Sequence, residues 1–512
     1  SAPILLVNAT STLTVDCNSK IRKATHCANG SLYGLTENVP KDYTNLVAPL
    51  HPYVFRNPAR GGNGNQHPFG DAIKVAKRIT ESPGAKMSVD LPDMLPGWPY
   101  RWPGIDSWIN QVKSFIEDKK KSGLNNWYGL EIWNEPDGTW KDSNGMSFND
   151  MWKSTYNAIR QADPGEKIIG PCFSWYETNK MKNFLQYAKQ NNCLPDIISW
   201  HELSGIEGVS SHLKGYRDLE KSLGINELPI SINEYCDANH DLEGQPGSSA
   251  RFIGKFERYK VESAAITWWF VPHPGRLGSL LASDNQKGAG WYFYQWYGDM
   301  TGDMVNVSPP NDNSKFVDGA ACVDSDKGYV SFIFGGPNDG SIRVVIKNIP
   351  SFIGSVANVK AEKVDWRSKD TPSSGPNTIF QKAFNVANGQ ITVDITGTND
   401  SSGYRIYINK GDGSAPVEDQ GQGQGSQSSS SYEGKYNIIN RNSGKFLNVQ
   451  NDSTANGANV NQWSDNGKTS EQWIITDEGD GYKITNVNAN KVLDVDNGSM
   501  KDGGNILIWA DN

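Results

Sequence analysis

Residues 127–136 read Trp127-Tyr128-Gly129-Leu130-Glu131-Ile132-Trp133-Asn134-Glu135-Pro136. The run is apolar and aromatic, as a strand buried on both faces must be. It closes on a carboxylate, and the proline after it cannot continue a ladder. A glutamate ending an apolar strand costs free energy unless something compensates or uses it. The pattern returns at Ile230-Ser231-Ile232-Asn233-Glu234-Tyr235, again an apolar run ending in glutamate.

Working outward, residues 31–304 alternate strand-like and helix-like periods. Strand-like runs occur at Ser31–Glu37, Tyr53–Arg60, Lys86–Leu91, Trp127–Trp133, Lys167–Cys172, Asp196–His201, Leu228–Glu234 and Ala264–Phe270. Helical spacing lies between them, best in Ile105, Trp108, Ile109, Val112, Phe115 and Ile116, ending at Gly123. Phe69, Ile73, Ala76 and Ile79 give a second helix; Phe252, Ile253, Phe256 and Tyr259 give a third. Eight strands alternating with helices predict an α/β fold, a (β/α)8 barrel. An open doubly wound sheet is the alternative, but no G-x-G-x-x-G or G-x-x-x-x-G-K-[ST] loop supports it.

In such a barrel the strands' C-terminal ends carry the chemistry. Glu135 ends the fourth run and Glu234 the seventh, so both face one cavity from opposite sides. That pair suits retaining glycoside hydrolysis: one acid protonates the leaving oxygen, and a carboxylate about 5–5.5 Å away attacks the anomeric carbon. Proximity is expected to raise the pKa of one of them.

Asn134-Glu135-Pro136 after strand four and Glu234 after strand seven resemble glycoside hydrolase clan A. The accompanying small β-sandwich is similar to that of family 39, with family 30 sharing the plan. The resemblance implies Glu135 as acid/base, Glu234 as nucleophile and Asn134 as donor to the sugar 2-hydroxyl. It also implies an arginine at the end of strand two that steadies the nucleophile, a part for which Arg56 and Arg60 compete.

Other residues read less sharply. His201, ending strand six, is expected to line the sugar site, and Tyr235 to hydrogen-bond a carboxylate. Trp268 and Trp269 end strand eight; one is expected to floor the sugar subsite. Trp98, Trp133 and Trp175 suit subsites or packing equally, and the Gly-rich loop Arg60–His67 reads as a substrate-side loop. Glu131 is expected to point into the lower barrel or pair with an arginine.

Residues 305–410 switch to period-two runs broken by Gly, Pro, Asn and Asp, which predicts an antiparallel β-sandwich. Residues 1–30 hold an alternating run, Ile4–Val15, expected to join that sandwich. Residues 411–434 are Gly, Gln and Ser with almost nothing apolar, the composition of a flexible linker.

Beyond the linker, residues 435–512 repeat. Tyr436, Ile438, Asn440, Lys445, Leu447, Val449, Gly457, Asn459 and Trp463 recur 46 residues later, from Tyr482 to Trp509. Leu493-Asp494-Val495, Ile506-Leu507-Ile508-Trp509 and Trp473 flanked by Gln472 resemble the signatures of ricin-type β-trefoil lectins. That resemblance implies Asp494 and Trp509 as a sugar pocket; Asn448 replaces the aspartate in the first repeat. Trp463 and Trp509 could instead serve the trefoil core. A trefoil has three repeats and this segment shows two, so an incomplete domain of doubtful independent stability is expected.

The composition agrees. Asp plus Glu is 57 against 49 Lys plus Arg, a net charge of −8, which disfavours nucleic acid and anionic membranes as partners. No apolar run approaches membrane-spanning length. Aromatics at 11% suit packing on sugar faces. The six cysteines lack a C-x-x-C pair; they allow up to three disulfides or serve as small buried residues. No H-E-x-x-H or G-x-S-x-G points to metal or serine chemistry, and no cofactor is expected. The expectation is a secreted, extracellular retaining glycosidase acting on xylan- or arabinan-type polysaccharide or derived oligosaccharides. A non-catalytic binding protein with a lectin tail and a transglycosidase are the alternatives.

Overall fold

The computed structural model describes residues 11–61, 69–237, 240–267, 275–412, 417–418, 434–440, 443–478 and 482–511. The chain divides into two compact units at residues 420 and 421.

In the first unit, strand β1 (Thr12–Lys23) precedes the barrel. The barrel strands are β2 (Val54–Pro58), β3 (Lys86–Asp90), β4 (Trp127–Glu131), β5 (Ile168–Phe173), β6 (Ile197–Glu202), β7 (Ile230–Tyr235) and β8 (Ser263–Ile266). They form one parallel sheet in sequence order. The first expected strand is reduced to two bridged residues, Ser31 with Ile266 and Leu32 with Arg56, which close the ring between β8 and β2. Gly30 explains the tight closure. A side chain there would start 1.7 Å from the Val54 carbonyl oxygen.

The helices are α1 (Tyr43–Leu46), α2 (Ala72–Ile79), α3 (Ile105–Lys121), α4 (Pro136–Thr139), α5 (Phe148–Ala162), α6 (Thr178–Gln190), α7 (Val209–Ser222), α8 (Pro246–Arg258) and α9 (Ala289–Gly298). Helix α3 follows the spacing expected of it. Trp108, Val112, Phe115 and Ile116 are buried, each worth about 1.5–3 kcal/mol, and Lys119 to Lys121 place positive charge at its C-terminal end. Phe69 lies outside α2, which Asp71 caps through the amides of Ile73 and Lys74, and its ring is exposed.

Strands β9 (Asp303–Ser308), β10 (Asp318–Asp324), β11 (Tyr329–Gly335), β12 (Ser341–Lys347), β13 (Val356–Val364), β14 (Asn377–Asn385), β15 (Ile391–Thr396), β16 (Gly403–Lys410) and β17 (Val417–Glu418) complete the unit. With β1 they form a ten-stranded sheet ordered β15-β12-β1-β9-β10-β11-β16-β13-β14-β17. Residues from both halves of that order, such as Val344, Ile391, Phe332 and Ile406, share one core, so the sheet folds over on itself as a sandwich. Of the N-terminal run, residues 12–15 lie in β1, which is parallel to β12 and antiparallel to β9, while residues 4–10 fall outside the described residues. Within the expected linker, Val417–Glu418 pair with β14; most of the remainder lies outside the described residues.

Helix α8 joins barrel to sandwich. Lys255 Nζ lies 2.8 Å and Arg258 Nη2 2.7 Å from Asp318 Oδ2, with Lys255 and Asp318 fully buried. Burial pushes the Asp318 carboxyl up, but the two cations outweigh it and hold it below the usual range. All six cysteines are buried and free. The disulfides considered above are therefore absent, and the thiols pack as small apolar groups.

In the second unit, β18 (Gly434–Asn437), β19 (Phe446–Val449), β20 (Ala458–Trp463), β21 (Gln472–Asp477), β22 (Tyr482–Asn486), β23 (Lys491–Val495) and β24 (Ile506–Trp509) form a sheet ordered β18-β21-β22-β23-β24-β20-β19. Val449, Trp473, Ile475, Ile484 and Ile508 make its core, with equivalent positions of both repeats contributing. Trp463 and Trp509 are not core residues; they are 57% and 39% exposed.

Candidate active site

Arg56, near the end of β2, organises the site. Its side chain is 1% exposed and its guanidinium is surrounded by acceptors. Nε donates to Glu131 Oε2 at 2.6 Å, Nη1 to Glu234 Oε1 at 2.7 Å and Nη2 to Asn134 Oδ1 at 2.8 Å. Asp90 Oδ2 lies 2.9 Å from Nη2. Ser88 donates to the second oxygen of Glu131 at 2.8 Å. Glu131 is thus the buried, arginine-paired residue that its place on β4 suggested.

The turn after β4 sets Asn134 and Glu135. Glu135 has φ +50 and ψ 52, the left-handed region that non-glycine residues seldom occupy. Thr139 on α4 holds the turn, donating to the Asn134 carbonyl at 2.7 Å while accepting Trp133 Nε1 at 2.9 Å. Strain held by surrounding bonds is characteristic of functional positions.

His201 of β6 stands between the two glutamates. Its Nδ1 is 3.0 Å from Glu135 Oε1 and 3.7 Å from Glu234 Oε2. One oxygen of each carboxylate and one imidazole nitrogen all lie within 4.8 Å of one another. His201 is completely buried, whereas both glutamates keep partial exposure. Burial pulls the imidazole down, but Glu234 and then Glu135 outweigh it and raise its pKa. Burial pushes Glu135 up, yet the His201 hydrogen bond, its charge and Arg56 hold the carboxyl below the ordinary range. For Glu135 the direction is thus opposite to that of a carboxyl raised by a neighbouring carboxylate. A buried imidazole between them supplies the compensating charge.

Asp90 and Asp93 were not foreseen. Burial, then Asp93, pushes the Asp90 carboxyl well above its usual value. Burial pushes Asp93 up to about 6, against hydrogen bonds from Tyr33 and Tyr100. Strand β3 ends Ser88-Val89-Asp90, so the signal used for the glutamates, an apolar run closing on a carboxylate, was present there too.

Several expected residues stand elsewhere. Arg60 lies 2.8 Å from Asp118 and over the Phe115 ring of α3, because it falls two residues beyond β2 and packs against the helix layer. Tyr235 follows the inward Glu234 and so turns the other way. Its hydroxyl donates to the Ala28 carbonyl at 3.1 Å and its ring packs on Phe252 and Phe256 of α8, away from the carboxylates. Trp133 is buried against Tyr100, Trp102, Trp108 and Trp140. Trp98 and Trp175 are exposed, with Lys180 Nζ 4.2 Å over the Trp175 ring. Trp268, Trp269 and most of the Arg60–His67 loop lie outside the described residues.

Glu135, His201 and Glu234 could geometrically hold a divalent cation. The Arg56 guanidinium, 2.7 Å from Glu234, already supplies the positive charge and opposes a second one. What remains is a pair of carboxylates within reach of one reacting centre, one on an arginine and the other on a histidine.

Residues 105–227 match the family model for glycosyl hydrolases family 39, and residues 422–509 match the ricin-type beta-trefoil lectin domain-like model. The chain thus carries a family 39 match within its barrel, from α3 to just before β7, and a ricin-type lectin match in its second unit. The chain is 74% identical to a protein from Neocallimastix frontalis of solved structure, with a TM-score of 0.78, covering 78% of this chain and 100% of that one. A family 39 β-xylosidase from Caulobacter crescentus has the same fold at 15% identity and a TM-score of 0.56, over 78% and 99% of the two chains. A 3-O-beta-L-arabinopyranosyl-alpha-L-arabinofuranosidase from Bifidobacterium pseudocatenulatum is 27% identical over 473 residues, 78% of this chain and 47% of the relative. A 3-O-alpha-D-galactosyl-alpha-L-arabinofuranosidase from Bifidobacterium longum subsp. longum is 27% identical over 469 residues, 78% and 40%. The chain thus spans less than half the length of these two curated relatives.

In the second unit, β23 pairs with β24 so that Val492 opposes Trp509 and Asp494 opposes Leu507. Asp494 and Trp509 are therefore diagonal neighbours on one face of the pair.

Proposed function

We propose that the protein is a retaining glycosidase working by double displacement, with Glu234 as nucleophile and Glu135 as acid/base. The observation that supports this reading most is the convergence of the two carboxylates and His201 within 4.8 Å. That spacing suits direct attack on the anomeric carbon; inversion needs about 6.5–9.5 Å to admit a water.

Each group then has a task. Arg56 gives Glu234 a cationic partner, which suits an attacker that must act as an anion. Asn134 Oδ1 is taken by Arg56, so its amide NH₂ is left to donate to the sugar. The proton for the leaving oxygen rests on His201 in the free enzyme and passes through Glu135. As Glu234 bonds to carbon its charge disappears, His201 loses one of the two anions that raise its pKa, and the proton moves to Glu135 and on to the departing oxygen. In the second half, Glu135 accepts the proton of the attacking water and His201 takes it back.

The substrate proposed is plant cell-wall polysaccharide of xylan or arabinan type, or its oligosaccharides. The names of the two bifidobacterial relatives favour arabinofuranosides. We further propose that the protein works outside the cell and that the second unit binds polysaccharide, so that tethering raises local substrate concentration. A 2-fluoro sugar with an activated leaving group tests the nucleophile. Mass spectrometry of the labelled digest should find the sugar on Glu234; a label on any other residue contradicts the assignment. A panel of aryl arabinosides, xylosides and glucosides tests the sugar class.

A further inference from the structure

A second cluster of chemically active side chains lies just past the nucleophile strand. It comprises Cys236, His240 and Glu243, between β7 and α8, with Thr267 at the end of β8. His240 Nδ1 is 3.1 Å from Cys236 Sγ, 3.0 Å from Glu243 Oε2 and 3.0 Å from Thr267 Oγ1. The Thr267 hydroxyl also donates to Glu243 Oε2 and reaches the Cys236 thiol. One sulfur, one nitrogen and two oxygens thus crowd one point. The ligand atoms of the cysteine, histidine and glutamate all lie within 4.8 Å of one another.

Two arrangements explain a thiol, an imidazole and a carboxylate together. In a nucleophilic relay the thiol uses one ring nitrogen and the carboxylate orients the other. Here both meet the same nitrogen, so no proton can be passed along the ring. A single N–H at Nδ1 could serve only one of its three neighbours, whereas a cation at the centre would serve all of them. Around a tetrahedral zinc ion, with bonds of about 2.0–2.3 Å, neighbouring ligand atoms stand about 3.3–3.6 Å apart. The three distances from His240 Nδ1, 3.0–3.1 Å, are edges of that set contracted by a few tenths of an ångström; Thr267 and Glu243 stand closer, as hydrogen-bond partners that must part if both bind the ion.

We propose that Cys236, His240 and Glu243 bind one zinc-type divalent cation, with Thr267 or a water as fourth ligand. The thiolate–imidazole–carboxylate set selects zinc over magnesium or calcium, which take oxygen ligands. On binding, the Cys236 thiol gives its proton to the buffer and its sulfur bonds to the metal. Ser279 Oγ, donating to the other oxygen of Glu243 at 3.1 Å, fixes that carboxylate. The Cys236 amide donates to the Glu202 carbonyl, and the Thr267 amide to the Tyr235 carbonyl. The ion would therefore clip β6, β7 and β8 together beside Glu234. Its role is to hold the barrel rim, separate from bond cleavage. Lys369 Nζ, donating to the His240 carbonyl at 2.7 Å, sets an opposing charge nearby.

The full chain, dialysed against chelator and then metal-free buffer, is titrated with Zn²⁺ by calorimetry and with Co²⁺ by absorption spectroscopy. The proposal expects one equivalent bound, a thiolate-to-cobalt charge-transfer band, tetrahedral d–d bands, and a melting temperature raised by at least about 2 °C with Zn²⁺. Cys236→Ser should lose the charge-transfer band, and Lys369→Met should tighten binding. Binding no tighter than about 1 mM overturns it. So does a cobalt spectrum without the thiolate band, which would place the metal elsewhere, for example on the two catalytic glutamates. The spectrum of the unaltered chain decides the matter if the variants do not fold.

Discussion

Arg56 Nη1 and Glu234 Oε1 stand 2.7 Å apart, joining two strands across the barrel mouth through an arginine that is itself buried. The same guanidinium holds Glu131 and Asn134, so one side chain sets both the proposed nucleophile and the proposed sugar ligand. Lysine is a point charge and cannot make this fork. Arg56→Lys should lower kcat by about 10²-fold through misplacement of Glu234. Arg56→Ala leaves Glu131 buried without its cation and should cost about 3–5 kcal/mol of stability. Steady-state kinetics and thermal melts measure the two effects; an Arg56→Lys variant with unchanged kcat contradicts the positioning role.

Glu135→Gln removes the proposed acid but keeps the shape. The loss should be about 10²–10⁴-fold on substrates with poor leaving groups and small on aryl glycosides whose leaving group needs no proton. Equal loss on both classes argues against the acid role.

The pH profile should show the proton held between His201 and Glu135. His201 is raised, so the basic limb of kcat/KM should lie above the ordinary imidazole value of about 6.5. In His201→Gln the basic limb passes to Glu135 and should move to lower pH. An unmoved basic limb contradicts the relay.

The barrel and sandwich should separate in acid. Asp318 is held low by Lys255 and Arg258, and Asp312 is lowered to about 2, burial being outweighed by Arg258 and Tyr259. Groups with depressed folded pKa values contribute stability that is complete above their unfolded values, about 3.9, and lost as pH falls through the folded ones. Stability should therefore drop between about pH 4 and pH 2. Asp318→Asn, which strips two buried cations of their partner, should cost about 3–5 kcal/mol at neutral pH. Melting curves across pH on both proteins check this; identical curves contradict it.

Trp509 is exposed beside Asp494 on one sheet face. Trp509→Ala should weaken pull-down of the full chain by insoluble polysaccharide while leaving kcat on soluble aryl glycosides unchanged. Equal retention by the variant removes Trp509 from the sugar site.

Much of this was legible in the residues. Apolar runs ending in Glu135 and Glu234 are strong signals because burying a carboxylate is costly, whereas Arg56 came only as one of two arginines that the family resemblance implied. Arg60 was indistinguishable from Arg56 in sequence; only the end of β2 at Pro58 separates them. Tyr235 was misread because adjacent strand residues face opposite sides. The first barrel strand shrank to bridges because its glycines let the backbone pass closely where regular pairing would not fit. The Cys236–His240–Glu243 cluster is local in sequence but follows neither the C-x-x-C nor the H-E-x-x-H spacing, so only the folded loop brings its side chains together.

The central claim is that Glu234 bonds to the anomeric carbon while Glu135 handles the proton. Proton NMR of the first product released, recorded before mutarotation, tests it most directly. The account predicts a product with the anomeric configuration of the substrate. A first product of opposite configuration would contradict it.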